Sequence, residues 1–372
     1  MKIKTVTCHH VYNYGASLQA FALQNYLEAE GHDVEILDYR LPNHRRYEWF
    51  APFQNKGRAY SYMQRFPFLK YIYYPYKRRG MLKTWGRKKA FDKFDEDYLH
   101  ISKETYRTIE EIREASPEAD VYIAGSDQIW NTDCDNGRDP GYYLDFGSKD
   151  TKRISYAASF GTGKIKDGFE DFVRRQLNRF DCISVRERTG LGILKSLNID
   201  GVQVVDPVFL LSRQEWVSSL GLEEEPGNYI FLYDFLHDDE AIRSFALSLK
   251  KKTGLKIVSV NDFSNAPYAD KQINDAGPKE FLQWLLNSNY VVCNSFHATA
   301  FSLVFHKEFA TYPLLRQKNQ SRMSDLLESV GLSERFKPTA FLHPLSHSEW
   351  KKVDDGLAGS IRNSKAYLTL IG

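Results

Sequence analysis

The sequence predicts a two-domain α/β protein in which two doubly wound parallel sheets face each other across a cleft. Three observations predict it. The 372 residues are too many for one comfortable core and suit two domains. Short buried-strand patterns alternate with helical periodicity almost from the first residue. The alternation stops at a polar, turn-rich stretch from Gly221 to Asn228, with Pro226-Gly227 inside it, and starts afresh beyond.

Taken in order, Ile3 to Thr7 reads as a buried strand. Ala16, Ala20, Leu23 and Leu27 fall on one helical face, Gly31 supplies a stop, and Val34-Glu35-Ile36-Leu37 returns as a strand. Parallel strands need such a crossover, so this βαβ unit predicts a Rossmann-like sheet with its site at the carboxyl ends of the strands. A basic, aromatic segment then interrupts the alternation as an insertion at about 42–100. Strands follow at Val121-Tyr122-Ile123-Ala124, Ile154-Ser155-Tyr156-Ala157, Cys182-Ile183-Ser184-Val185 and Val202-Gln203-Val204-Val205, and Asp206-Pro207 ends the series. Past the linker come strands at Tyr229 to Tyr233, Lys256 to Val260 and Tyr290 to Cys293. Helices run through Leu247, over Phe281 to Leu286, and from Ala298 to Phe305. The expected division is a first domain over 1–220, a second over 221–345, and a C-terminal helix over 346–372 that packs back on the first.

Composition narrows the function. Hydrophobic content of 42% and charged content of 26% are those of a globular chain, and 24 Phe with 23 Tyr make it rich in aromatics. No apolar run reaches the roughly 20 residues needed to span a bilayer, and the opening turns polar too early for a signal peptide, so a cytoplasmic protein is expected. Cys8, Cys134, Cys182 and Cys293 form no CxxC pair, which predicts reduced thiols. A net charge of +2 gives no ground for nucleic-acid binding. Basic residues do crowd locally, with Arg45, Arg46, Lys77, Arg78, Arg79, Arg87, Lys88 and Lys89 around Tyr71-Ile72-Tyr73-Tyr74-Pro75-Tyr76. Such a run suits an anionic surface, and peripheral contact with the inner membrane leaflet is expected of it, against the alternative of a solvated helical face over a local aromatic core. Cys8-His9-His10 points its side chains to opposite faces of an extended chain, so no metal site is predicted there. GxGxxG, Walker, HExxH and GxSxG signatures are all missing from the sequence.

Three strand ends carry candidate chemistry. In Val291-Val292-Cys293-Asn294-Ser295-Phe296-His297-Ala298 a buried strand enters a helix whose first amides favour an anion. Ser295 suits the cap, and His297 is either a proton-transfer group or a packed side chain. Asp127 in Gly125-Ser126-Asp127-Gln128-Ile129-Trp130-Asn131 is either a site carboxylate or a helix cap beside a core tryptophan. Arg186 in Ser184-Val185-Arg186-Glu187-Arg188 either grips a phosphate or carboxylate or pairs with Glu187 or another acid.

Together with Asn13-Tyr14-Gly15-Ala16-Ser17-Leu18-Gln19-Ala20 and Asp206-Pro207-Val208-Phe209-Leu210-Leu211, these segments resemble, in order, the landmarks of the polysaccharide pyruvyl transferase family. The resemblance spans about residues 5–335 and implies two Rossmann-like lobes of GT-B type. It further implies a pyruvate ketal transferred from phosphoenolpyruvate to a sugar or lipid-linked glycan acceptor, with no cofactor and no metal. By resemblance His297 and Asp127 are catalytic, and Arg186, Arg322 and Ser295 hold the donor. Asn13, Tyr14 and Gln128 meet the acceptor. Better-studied branches carry an arginine where this chain has Ser295. A GT-B nucleotide-sugar glycosyltransferase and a non-catalytic glycan-binding relative are the alternatives.

Overall fold

The structure is a computed structural model that describes residues 1–41, 65, 68, 82–235, 237, 239–262, 264–314 and 321–372. Much of the basic, aromatic run, from Arg45 to Arg79, lies outside the described residues apart from Arg65 and Phe68. Among the described residues no helix is long and apolar enough to cross a membrane.

The first half begins with β1 (Lys2–Val6), α1 (Tyr14–Ala29), β2 (Asp33–Tyr39), α2 (Trp85–Tyr98), β3 (Ile101–Tyr106), α3 (Ile109–Glu114), β4 (Val121–Ala124) and β5 (Lys152–Ser155). Its five strands are parallel and ordered β3-β2-β1-β4-β5. The winding direction therefore reverses between β1 and β4, and the crevice beyond their carboxyl ends is where a doubly wound sheet binds ligands. Beyond β5 lie α4 (Glu170–Leu177), β6 (Ser184–Val185), α5 (Arg188–Ser196) and β7 (Val202–Gln203). These last strands are shorter than their sequence suggests. The Ser155 and Ser184 hydroxyls donate to each other's carbonyls, and each accepts from a backbone amide that a regular ladder would use. The ladder breaks there, and β6 is tied to the sheet by these serine bonds and by isolated bridges such as Ile154 to Cys182 and Ala158 to Val185.

A capping box of Ser212 and Glu215 starts α6 (Arg213–Leu220), and Gly221, at φ 56°, ends it in the left-handed conformation that glycine takes without strain. The second half repeats the plan with β8 (Tyr229–Tyr233), α7 (Glu240–Thr253), β9 (Lys256–Val260), β10 (Lys271–Ile273), α8 (Pro278–Leu286), β11 (Tyr290–Cys293), α9 (Phe296–Val304) and β12 (Glu308–Thr311). Its parallel order is β10-β9-β8-β11-β12, which is the first sheet's order again. Then α10 (Ser321–Ser329) and α11 (His347–Leu368) close the chain. The last helix reaches back to the first half, where Ser364 Oγ accepts from Val205 N at 2.9 Å and Tyr367 OH donates to Ser155 O at 2.9 Å.

The two halves share one apolar cluster. Most of α1 is buried, although periodicity predicts a single apolar face, because the second half covers its outer side. Tyr14 stacks on Phe281 at 4.4 Å, and Trp216 stands between Phe21 and Phe301. Buried Arg87 of α2 crosses the same boundary, donating to Asp262 at 2.5 Å and to Tyr12 O at 2.7 Å. Tyr233 OH also donates to that aspartate. A buried charge pair held by further hydrogen bonds fixes an orientation better than an apolar contact, which can slide.

Candidate active site

Asp127 leaves β4 through a tight turn and holds φ at 71°. Its carbonyl accepts from Ile129 N and Ser159 N, so the left-handed conformation is locked from both sides. No helix begins there, and the capping alternative for this residue drops out. Arg186 directly follows β6 and is 5% exposed, and its Nη1 donates to Asp206 Oδ2 at 2.6 Å. Asp206, 1% exposed, is oriented by Val208 N on Oδ1 and by Ser126 Oγ on Oδ2.

From the second half, α9 starts at Ser295, whose hydroxyl accepts from Ala298 N at 3.4 Å. This puts His297 in the first turn, with Nε2 3.5 Å from the Asp206 oxygen that Arg186 also binds. One carboxylate thus joins the guanidinium of one half to the imidazole of the other. Phe296 lies under Arg186 at 4.9 Å, a cation–π contact. On its far side His297 is pressed against α1 so closely that a Cβ at Gly15 would lie 1.9 Å from Nδ1.

Arg186 and Asp206 line a cavity of about 210 Å³ together with Glu187, Phe296 and Arg322 at its charged end. Burial opposes ionisation of Asp206, but His297 and Arg186 outweigh it and hold the carboxyl well below its usual range. Burial likewise opposes the Arg186 charge, and Asp206, Glu187 and Asp127 reverse the balance. Arg322 differs. Burial, followed by repulsion from Arg186, leaves its guanidinium below its ordinary value despite the nearby acids. Two cations brought to one enclosed space in this way are relieved by an anion between them. Arg186 has donors to offer, because Nε and Nη2 are buried without a hydrogen-bond partner. Both are 3.7 Å from a carboxylate, on Glu187 and Asp127 respectively, which is too far for a hydrogen bond. His297 Nε2 is buried in the same condition.

Of the sequence candidates, Arg186 and Arg322 line the cavity, while Asp127, 3.7 Å from Arg186 Nη2, and His297, 3.5 Å from Asp206, adjoin those side chains without lining it. Ser295 stands beside them with its hydroxyl accepting from Ala298 N at the helix cap. Tyr14 does not belong to the site. It is 1% exposed, stacked on Phe281 and edge-on to Tyr233, and its OH donates to Ala276 O, which turns it into the seam between the halves. Asn13 caps α1 through Ala16 N, and Gln128 Oε1 accepts from Asn131 Nδ2, so both serve their own loops. Trp130 is core, stacked on Tyr143 with Nε1 donating to Tyr142 O. Asp206 is the residue that sequence reasoning missed. It is an acid at a strand end, as Asp127 is, but the proline after it reads as a terminator and hides the resemblance.

The chain is a two-lobed parallel α/β protein with an arginine-lined cavity beside an Asp–His pair. The profile of the polysaccharide pyruvyl transferase family matches residues 13–313. The chain belongs to that family, and the family is one of transferases. A search of curated proteins gives no significant match. Among solved structures, a functionally uncharacterised protein from Klebsiella pneumoniae is 15% identical, with 71% of this chain and 88% of that one covered and a TM-score of 0.38. A putative UDP-N-acetylglucosamine 2-epimerase from Listeria monocytogenes is 10% identical, with 97% and 89% covered and a TM-score of 0.48. The N-terminal domain of the Candida albicans trehalose-6-phosphate phosphatase is 8% identical, with 100% and 96% covered and a TM-score of 0.49.

Proposed function

We propose that the protein transfers the pyruvyl group of phosphoenolpyruvate, as a cyclic ketal, to two hydroxyls of a sugar in a surface polysaccharide or its lipid-linked precursor. The observation that carries this reading is the cavity in which Arg186 and Arg322 converge beside the Asp206–His297 pair. Its volume of about 210 Å³ suits a three-carbon phosphate ester and is small beside the roughly 300–1,000 Å³ that larger ligands occupy. A nucleotide-sugar donor is disfavoured on that ground.

In the proposed reaction Arg186 Nε and Nη2, with Arg322, take the donor's phosphate and carboxylate. His297 delivers a proton to the methylene carbon, and the positive charge that develops at the central carbon is met by the surrounding carboxylates. One acceptor hydroxyl attacks that carbon and gives its proton to Asp127. The bond from carbon to the phosphate oxygen then breaks, phosphate departs, and the second hydroxyl adds to the same carbon. Its proton returns to the departing phosphate or to solvent, which closes the ketal. Asp206 lines the cavity and orients both His297 and Arg186. No cofactor enters this sequence.

The test is to incubate purified protein with phosphoenolpyruvate and a panel of lipid-linked or 4-nitrophenyl sugars, following phosphate release and acceptor mass. Gain of one pyruvate ketal per acceptor, lost in His297→Ala and Arg186→Ala, is the expected result. Absence of phosphate release, with tight calorimetric binding of a nucleoside diphosphate sugar instead, would overturn the reading.

A further inference from the structure

The same cavity changes character along its length. At the inner end stand Arg186, Asp206 and Arg322. Toward the surface it is lined by Gln203, Ser329, Ser360 and Asn363, with Arg188 and Asp325 beside them. Those four residues are neutral and exposed. A cavity of about 210 Å³ is below the roughly 300–1,000 Å³ of sites that enclose larger ligands, so a small donor at the charged end takes up much of it. An acceptor that reaches the donor from solvent then approaches along the surface-facing rim, where Gln203, Ser329, Ser360 and Asn363 stand.

Much of that rim comes from α11. Ser360, Asn363 and Ser364 are spaced three and four residues apart and so share one helical face. Ser364 Oγ accepts from Val205 N, the residue before Asp206, and donates to Ser360 O. Tyr367 OH anchors the next turn on Ser155 O. The helix is thus tied in register to the residue that binds Arg186 and His297, and Asn363 is held at a fixed place relative to the reacting end. An amide offers a donor and an acceptor together, and hydroxyls do the same, which is the chemistry that recognises a sugar diol.

We propose that the face of the C-terminal helix carrying Ser360 and Asn363 is the acceptor subsite, binding the hydroxyls of the sugar while the donor lies deeper. This rests on the functional reading above and assigns the acceptor to residues far in sequence from Asn13, Tyr14 and Gln128.

The test uses the full chain with phosphoenolpyruvate and a 4-nitrophenyl hexopyranoside whose 4,6-diol is free. The double variant Ser360→Ala/Asn363→Ala should raise the acceptor KM by about tenfold, the cost of one or two hydrogen bonds, and leave the phosphoenolpyruvate KM within about twofold. Asn363→Trp fills the rim and should abolish transfer while phosphoenolpyruvate still raises Tm as it does for the unaltered protein. An unchanged acceptor KM in the alanine variant, or full transfer by Asn363→Trp, would overturn the subsite. If the unaltered protein shows neither a Tm rise nor phosphate release with phosphoenolpyruvate, the functional reading itself falls and the subsite with it.

Discussion

Gly15→Ala probes how the two halves meet at the site. A Cβ there would stand 1.9 Å from His297 Nδ1 and 2.4 Å from Cγ and Cε1, where carbon contacts settle at about 3.5–4.0 Å. The helix cannot retreat, because Tyr14, Ala16 and Leu18 are packed around it, so the ring must rotate and give up its 3.5 Å approach to Asp206. Overpacking of this kind costs about 1–3 kcal/mol, offset by up to about 1 kcal/mol from replacing a helical glycine. The net loss expected in urea unfolding is therefore on the order of 1 kcal/mol. Turnover should suffer more, since a displacement of about 1 Å in a reacting group can cost roughly 100-fold. A double-mutant cycle isolates the cause: with His297→Ala in the background the alanine at 15 meets empty space, and its stability penalty should vanish. The steric argument is wrong if Gly15→Ala costs as much with the ring gone as with it present.

Other perturbations follow from the same contacts. Asp206 and Asp38 both have carboxyls held below the ordinary range against the pull of burial, Asp206 by His297 and Arg186 and Asp38 by His9, Arg40 and Thr105. The stability they contribute is complete above about pH 4, the unfolded value, and is lost as pH falls through their folded values. Urea midpoints should drop more steeply below pH 4 in the unaltered protein than in Asp206→Asn. Arg87→Met strands the buried Asp262 charge and should cost about 3–5 kcal/mol in chemical unfolding, with part recovered in Arg87→Met/Asp262→Asn. Arg322→Ala should raise the phosphoenolpyruvate KM by about 10–100-fold, the worth of a charge-assisted hydrogen bond. Adding Ser295→Arg, which returns a guanidinium from the neighbouring helix end, should recover part of it despite loss of a cap worth about 1 kcal/mol.

The strands at Val121–Ala124, Tyr229–Tyr233, Lys256–Val260 and Tyr290–Cys293 emerge where their sequences put them. The first, second and last are buried at every position, so they read as unbroken apolar or aromatic runs bounded by turns. The edge strands β3 and β10 lack that signal. β3 has three consecutive exposed residues, and β10 is the short Lys-Gln-Ile, fully buried nowhere. At α9 the apolar run alone suggests a start at Ala298, whereas the Ser295 cap sets it at Phe296 and puts His297 in the first turn. For the site, the rule that ligands gather at the carboxyl ends of strands finds Asp127, Arg186 and His297 without any long-range information. It fails at Tyr14, which obeys the same rule by position. Whether a residue after a strand faces the cleft or the seam depends on what the other half brings against it, and Phe281 and Tyr233 are more than two hundred positions away in sequence.

Serine at position 295 fits this arrangement better than a missing cation suggests. Arg322 comes to the cavity from α10, so the second guanidinium is supplied by a different element, and position 295 is free to cap the helix that carries His297. Asp127, Glu187 and Asp206 then surround Arg186, and the site is far from being a bare positive trap. Only Asp206 is close enough to bond that guanidinium. The other two acids stabilise its charge at 3.7 Å and leave Nε and Nη2 without a hydrogen-bond partner. A buried arginine satisfied at every donor would be structural, and one with no acids near it would be costly to bury and slow to release phosphate. Selectivity in such a site comes from where the remaining donors point rather than from net charge.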